Sequence, residues 1–246
     1  MKPLLIVKDL RKSFGGLAAV EGVDFCLYEN EILGLIGPNG SGKTTLFNLI
    51  AGALRPDGGR VEFEGRDITG LNPASVCKMG IARTFQVPMP FERLSVLDNV
   101  KLGRAYGSQP AETLTQAARE ASEILEFIGL IGKGSLISGR LGLLDRKRLE
   151  LGKALATRPK VLLLDEILGG LNPKEIEEAM DLIRKIRDSG ITMIVVEHVM
   201  KAIMGISDRV VVLNSGMKLV EGLPGEVVKE HRVIEAYLGV DLDAEN

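Results

Sequence analysis

Residues 37 to 44 read GPNGSGKT and meet the pattern G-x-x-x-x-G-K-[ST] at every fixed position. The residue types define the chemistry. Gly37, Gly40 and Gly42 let the backbone curl with its N–H groups inward, forming an anion-binding concavity at a helix N-terminus. Lys43 supplies an ammonium for β- and γ-phosphates, and the Thr44 hydroxyl is a ligand for Mg²⁺. The candidate polyphosphate site is therefore Gly37, Pro38, Asn39, Gly40, Ser41, Gly42, Lys43, Thr44 and Thr45. A second group follows far along the chain, where KVLLLDE ends on Asp165 and Glu166 side by side. Asp165 suits the metal and Glu166 suits the orientation or deprotonation of an attacking water. TMIVVEH places His198 after another apolar run, where an imidazole can meet a γ-phosphate, and GIARTFQ ends on Gln86, whose amide can reach the metal or the water. Taken singly, each group has a plainer alternative: a glycine turn, a polar loop start, a structural histidine, a surface glutamine.

The elements that must position these groups have an α/β pattern. EILGLIG (31–37), KVLLLD (160–165), TMIVVE (192–197) and RVVVLN (209–214) are too continuously apolar to expose a face, as expected of parallel strands covered on both sides. TTLFNLIAG carries the loop into a helix closed by Gly52. LLIVKDLRKSF and GGRVEFEGRDI alternate apolar with charged residues and predict an antiparallel edge subdomain. Strand signals stop between Gln86 and Pro159 and helical patterns replace them, with Leu114, Ala117, Ala118, Ala121, Ile124, Leu125 and Ile128 on one face. The pattern predicts a P-loop, RecA-like α/β core with a mostly parallel sheet, an antiparallel β edge subdomain and an inserted α-helical lobe. Residues 1–86 and 160–246 would form the core and 87–159 the lobe.

Composition narrows the function classes. At 246 residues and 45% hydrophobic the chain can bury a full core, and 31 basic against 33 acidic residues leave no footprint of a generic nucleic-acid binder. Cys26 and Cys77 lack metal-ligand spacing, so reduced cytosolic thiols are expected. The apolar run in MKPLLIVKDL is too short for a signal peptide, and no stretch approaches the roughly 18 apolar residues of a membrane span.

Phe14, GPNGSGKTT, TFQ, the segment 141–155, VLLLDE, GGLN (169–172) and EH occur in an order that resembles the ATP-binding cassette (ABC) subunits of membrane transporters over nearly the whole chain. RKSFGGLAAVEGVDF, GIARTFQ, DEILGGLNPKE, VMKAIMGISDRVVVLNSG and EGLPGEVVKEHRVIEAYLG resemble the cassettes of branched-chain amino-acid importers. The resemblance implies ATP and Mg²⁺ as cofactors, Phe14 stacked on adenine, and Thr44, Gln86 and Asp165 at the metal. Glu166 would be the catalytic carboxylate and His198 the γ-phosphate sensor. It also implies a head-to-tail dimer with a second ABC cassette, each ATP lying between one P-loop and the partner's signature segment. Separate integral membrane permease subunits and, indirectly, a substrate-binding protein complete the expected assembly. The location is then the cytoplasmic face of the cell membrane, as a peripheral subunit. A soluble ABC-type ATPase acting as a mechanical switch in translation or DNA repair is the alternative. A GTPase would need an Asn-Lys-x-Asp guanine reader, which the sequence lacks.

One segment departs from the family. Where a Ser-Gly-Gly-Gln-like signature is typical, this chain has LGLLD: Gly142 replaces the serine, Leu144 the second glycine and Asp145 the glutamine. A phosphate donor is lost and a carboxylate is added near polyphosphate. An asymmetric pair of ATP sites is expected, so a heterodimer is favoured over a homodimer. The basic run Arg146 to Arg148 is the available compensation for Asp145.

Overall fold

The computed structural model describes residues 2–238. From the N-terminus the elements are β1 (Pro3–Phe14), β2 (Leu17–Tyr28), β3 (Ile32–Ile36), α1 (Lys43–Ile50), β4 (Gly58–Phe63), β5 (Arg66–Asp67), α2 (Pro73–Met79) and β6 (Ile81–Arg83). The helical stretch follows as α3 (Val96–Tyr106), α4 (Leu114–Phe127), a 3₁₀ turn at Ser138–Arg140 and α5 (Leu143–Ala156). The chain continues through β7 (Val161–Asp165), α6 (Pro173–Asp188), β8 (Thr192–Val196), α7 (Met200–Ile206), β9 (Arg209–Asn214), β10 (Met217–Gly222), α8 (Pro224–Val227) and α9 (His231–Leu238). Two units divide these elements: residues up to 72 with those from 192 onward, and residues 73–191. Residues 239–246, the end of the segment 160–246, lie outside the described residues.

In the first unit, β3 lies between β8 and β9 with both pairings parallel, and β10 adds antiparallel to β9. All five residues of β3 and all five of β8 are buried, which is why their sequences are continuously apolar. Gly34 lets α7 approach: a Cβ there would stand 2.7 Å from Ser207 Oγ and 3.0 Å from Ile203 Cγ1. A separate antiparallel sheet has the order β2-β1-β4-β5. The alternation in β1 and β4 foretells it, whereas β2 is less evident because Gly22, at φ 66°, and several register shifts interrupt its period.

In the second unit β6 and β7 pair in parallel, and α3, α4 and α5 pack on one another. This unit encloses the segment 87–159 together with α2, β6, β7 and α6. Ser95 caps α3 by accepting from Asp98 N–H, Thr113 caps α4 by accepting from Gln116 N–H, and Asn172 and Glu175 close a capping box on α6. The predicted apolar face of α4 is buried at Ala117, Ala121, Leu125 and Ile128. Leu114 is not part of it: as the first residue of α4 its side chain leans back past the packed turns, and it is 72% exposed. Glu120 takes a place on the buried face instead, because Arg104 of α3 pairs with it and Gln116 and Arg158 donate to it at 2.8 and 2.9 Å.

The Arg104 hydrogen bond, seconded by Gln116, holds the Glu120 carboxyl down at about 2 from an ordinary 4.5. A depressed folded-state value means the stabilisation is complete above the unfolded value of 4.5 and is lost as pH falls toward about 2. Urea unfolding from about pH 6 to about pH 3 should show a falling midpoint in the native chain and a flatter dependence in Glu120→Gln. Parallel profiles would show that this carboxylate does not carry the acid sensitivity.

Candidate functional site

The glycine loop is shaped by what already surrounds it in the first unit. β3 ends at Ile36, and a Cβ on Gly37, at φ 151°, would lie 2.1 Å from the Leu213 carbonyl oxygen of β9. A Cβ on Gly42, at φ 102°, would lie 2.3 Å from the Ala19 carbonyl oxygen of β2. No side chain fits either position. Gly40, at φ 78°, has open space around it. The turn between β9 and β10 braces the other side, with Gly216 N–H donating to Ser41 O at 3.1 Å and Glu21 N–H to Gly216 O at 2.8 Å.

Within this frame Lys43 is 6% exposed, and its ammonium donates to Gly37 O at 2.8 Å, Pro38 O at 2.9 Å and, at 3.5 Å, Ser41 Oγ. The carbonyls make burial of the charge tolerable. α1 begins at this lysine with Gly42 as its cap, no side-chain cap and no acidic residue in its first turn. No side chain caps its positive end and no carboxylate of its first turn offsets the charge there. Thr44, Asn39 and Gly40 are exposed, and Pro38 and Thr45 are partly exposed. Gly37 N–H donates to the Tyr237 hydroxyl of α9 at 2.8 Å. Phe14 closes β1 next to the tight turn at Gly15, 48% exposed, with the Lys12 ammonium 5.7 Å from its ring centre. His198 follows β8 and is exposed.

The second unit gathers the remaining candidates. Gln86 Nε2 donates to Glu166 Oε2 at 2.5 Å, and Glu166 sits at φ 48°, in the left-handed region, at the turn leaving β7. Thr84, fully buried, stitches the two strands: its N–H donates to Leu163 O at 2.9 Å and its hydroxyl accepts from Asp165 N–H at 3.3 Å. Asp165, 5% exposed at its side chain, is paired with Arg83 at 2.7 Å. Sequence spacing gave Arg83 no role, yet the register holds the signal. Arg83 lies opposite Leu163, and Asp165 is two residues on, on the same face.

The signature segment also lies here. Gly142 is the N-cap of α5 at φ −68°, ψ 170°, with no side-chain cap. The basic lead-in does not compensate Asp145. Lys133 pairs with Asp145 at 2.5 Å. Arg146 donates to Leu141 O and Gly139 O, Arg148 pairs with Glu178 at 2.8 Å, and buried Lys147 donates toward Glu166 O at 3.4 Å. Each cation of the run is engaged elsewhere.

A buried parallel strand, a glycine loop folded round a lysine and a helix opening from it define a P-loop nucleoside triphosphatase. The family model described as "ABC transporter" matches residues 20–169. The chain is 40% identical over 251 residues to the high-affinity branched-chain amino acid transport ATP-binding protein LivG of Salmonella typhimurium, covering 97% of this chain and 98% of that one. It is 36% identical to the corresponding BraF protein of Pseudomonas aeruginosa, with 97% and 98% covered. A solved ATP-binding cassette of an ABC transporter in its ADP conformation superimposes with a TM-score of 0.88 at 32% identity, covering 98% of this chain and all of that one. The chain belongs to the ABC transporter family as an ATP-hydrolysing cassette.

Removing Arg83 should leave the Asp165 carboxylate buried without its counter-ion. Arg83→Leu is therefore expected to lower unfolding free energy in EDTA by about 3–5 kcal/mol, the usual cost of breaking a buried pair. An unchanged denaturation midpoint would contradict the pairing.

Proposed function

We propose that this cassette drives uptake of branched-chain amino acids or related small organic solutes through separate integral membrane permease subunits, from the cytoplasmic face of the membrane. The observation that carries the ATP-binding part is the buried Lys43 ammonium held by the Gly37 and Pro38 carbonyls at an uncapped helix start. Identity to the LivG and BraF transport proteins across nearly the whole chain supports the solute class. Among the described residues no helix is long and apolar enough to cross a membrane, which is consistent with separate permease subunits.

Loop N–H groups beyond Pro38, as far as Thr45, and the Lys43 ammonium bind the triphosphate, the Gly37 N–H being held by Tyr237, and Phe14 stacks on adenine. Thr44, Gln86 and Asp165 offer two neutral oxygens and a carboxylate, a donor set suited to Mg²⁺. When bound, that ion neutralises charge on the phosphate oxygens. Glu166 accepts the proton of the attacking water at its carboxylate, Gln86 orients that carboxylate through its amide, and His198 contacts the γ-phosphate. Two cassettes dimerise head to tail, with a substrate-binding protein serving the permease. A second cassette of different sequence is the favoured partner, because LGLLD lacks the serine and carries Asp145.

Pull-down of the chain in detergent should recover integral membrane proteins and a second cassette. Recovery of ribosomes or DNA with no membrane protein would overturn the reading. In that complex Glu166→Gln should lower kcat by about 10²–10⁴-fold, with a smaller change in KM. Position 142 has the φ of an ordinary residue and nothing within 4 Å of an added Cβ, so Gly142→Ser is accommodated. Gly142→Ser combined with Leu144→Gly and Asp145→Gln should raise single-turnover hydrolysis at the partner's P-loop and leave hydrolysis at this chain's own P-loop unchanged. Equal rates from both sites before the substitutions would contradict the asymmetry.

A further inference from the structure

The junction between β3 and the glycine loop is tied to the far end of the chain. β3 pairs with β9 as far as Ile36 opposite Val212, and the next N–H, that of Gly37, donates to the Tyr237 hydroxyl at 2.8 Å across 200 positions of sequence. The Gly37 carbonyl, on the following peptide plane, accepts from the Lys43 ammonium. Glycine at φ 151° is the swivel between those two planes. One plane is fixed by the lysine and the other by the tyrosine.

Packing alone does not account for a tyrosine at position 237. Tyr237 is 41% exposed, whereas Val233, one turn earlier on α9, is 3% exposed and supplies the apolar anchor. A phenylalanine would cover the same apolar surface, so the hydroxyl is the part that needs explaining. Burial of the phenol pushes its titration above the ordinary range, opposed by the Gly37 N–H, so the group is a neutral hydroxyl at physiological pH. It accepts from the loop with one lone pair and keeps its own O–H to donate.

We propose that Tyr237 is a positioning residue for the polyphosphate loop: α9 carries its hydroxyl to Gly37 N–H and thereby holds the loop in the shape that receives a nucleoside triphosphate. This rests on the reading of that loop as the ATP site. A glycine-rich segment that is already ordered loses less freedom when the ligand arrives, so the tie acts on affinity more than on the chemical step. It also gives the C-terminal helix a direct hold on nucleotide affinity, through one hydrogen bond and no contact with nucleotide.

The test uses the full chain and Tyr237→Phe, with Mg·ATP as the probe. Gly37 amide exchange followed by NMR should quicken about three- to tenfold and the Mg·ATP Kd should rise by a similar factor, the range expected for one hydrogen bond. The KM for ATP should rise with it, while kcat stays within about twofold and the thermal midpoint falls by no more than about 4 °C. Unchanged Gly37 exchange, an unchanged Kd, or a weaker Kd accompanied by faster exchange throughout the chain would each overturn the proposal. A native chain that fails to bind Mg·ATP would overturn the reading of the loop as well. Tight binding by the native chain and an indistinguishable variant would overturn the role of Tyr237 alone.

Discussion

Close approach of backbone to backbone at Gly37 and Gly42 is the constraint on which the nucleotide loop depends. Carbonyl oxygens of Leu213 and Ala19 stand where a Cβ would be, so the loop is wedged between β9 and the β1–β2 hairpin. That wedge turns carbonyls of the loop toward Lys43 and lets α1 start without a side-chain cap. The buried ammonium follows from it. A lysine 6% exposed is tolerable only where oxygens are already arranged around the charge, and here the loop itself supplies them.

Charge is handled by the same rule elsewhere. Asp165 is held by Arg83, Glu120 by Arg104 and Arg158, and Arg209 by Glu31 and Glu221 with the Tyr28 ring beside it. Where the group left behind is buried, as Asp165 and Glu120 are, losing the partner strands a charge in a poor solvent, so breaking the pair costs more than the pair itself contributes. The contact between Gln86 and Glu166 is of another kind. It is exposed and joins side chains that lie just beyond β6 and β7, so it contributes little to stability.

The sequence made legible whatever is encoded locally. GPNGSGKT specifies its loop because three glycines, a lysine and a hydroxyl at fixed spacing have one common use, and the continuous aliphatic runs of β3, β7, β8 and β9 leave little choice but burial. β2 was harder because bulges break its alternation. Leu114 fits the helical face by spacing yet points past the packing, since periodicity says nothing about where a neighbouring helix ends. Non-local pairings were not legible at all: Arg83 with Asp165 is 82 positions apart and Tyr237 with Gly37 is 200. Lys133, rather than the adjacent basic run, neutralises Asp145, because α5 directs Arg146 to the carbonyls before it and Arg148 toward α6.

The cassette thus carries a fully furnished P-loop and a signature segment whose N-cap offers backbone alone. In the proposed head-to-tail dimer the two belong to different ATP sites, so one chain can be strong in one role and weak in the other. The account stands or falls on Lys43. Calorimetric titration with Mg·ATP should give saturable heat at one site per native chain and none for a folded Lys43→Ala variant; no heat from the native chain, or undiminished heat from the variant, would contradict it.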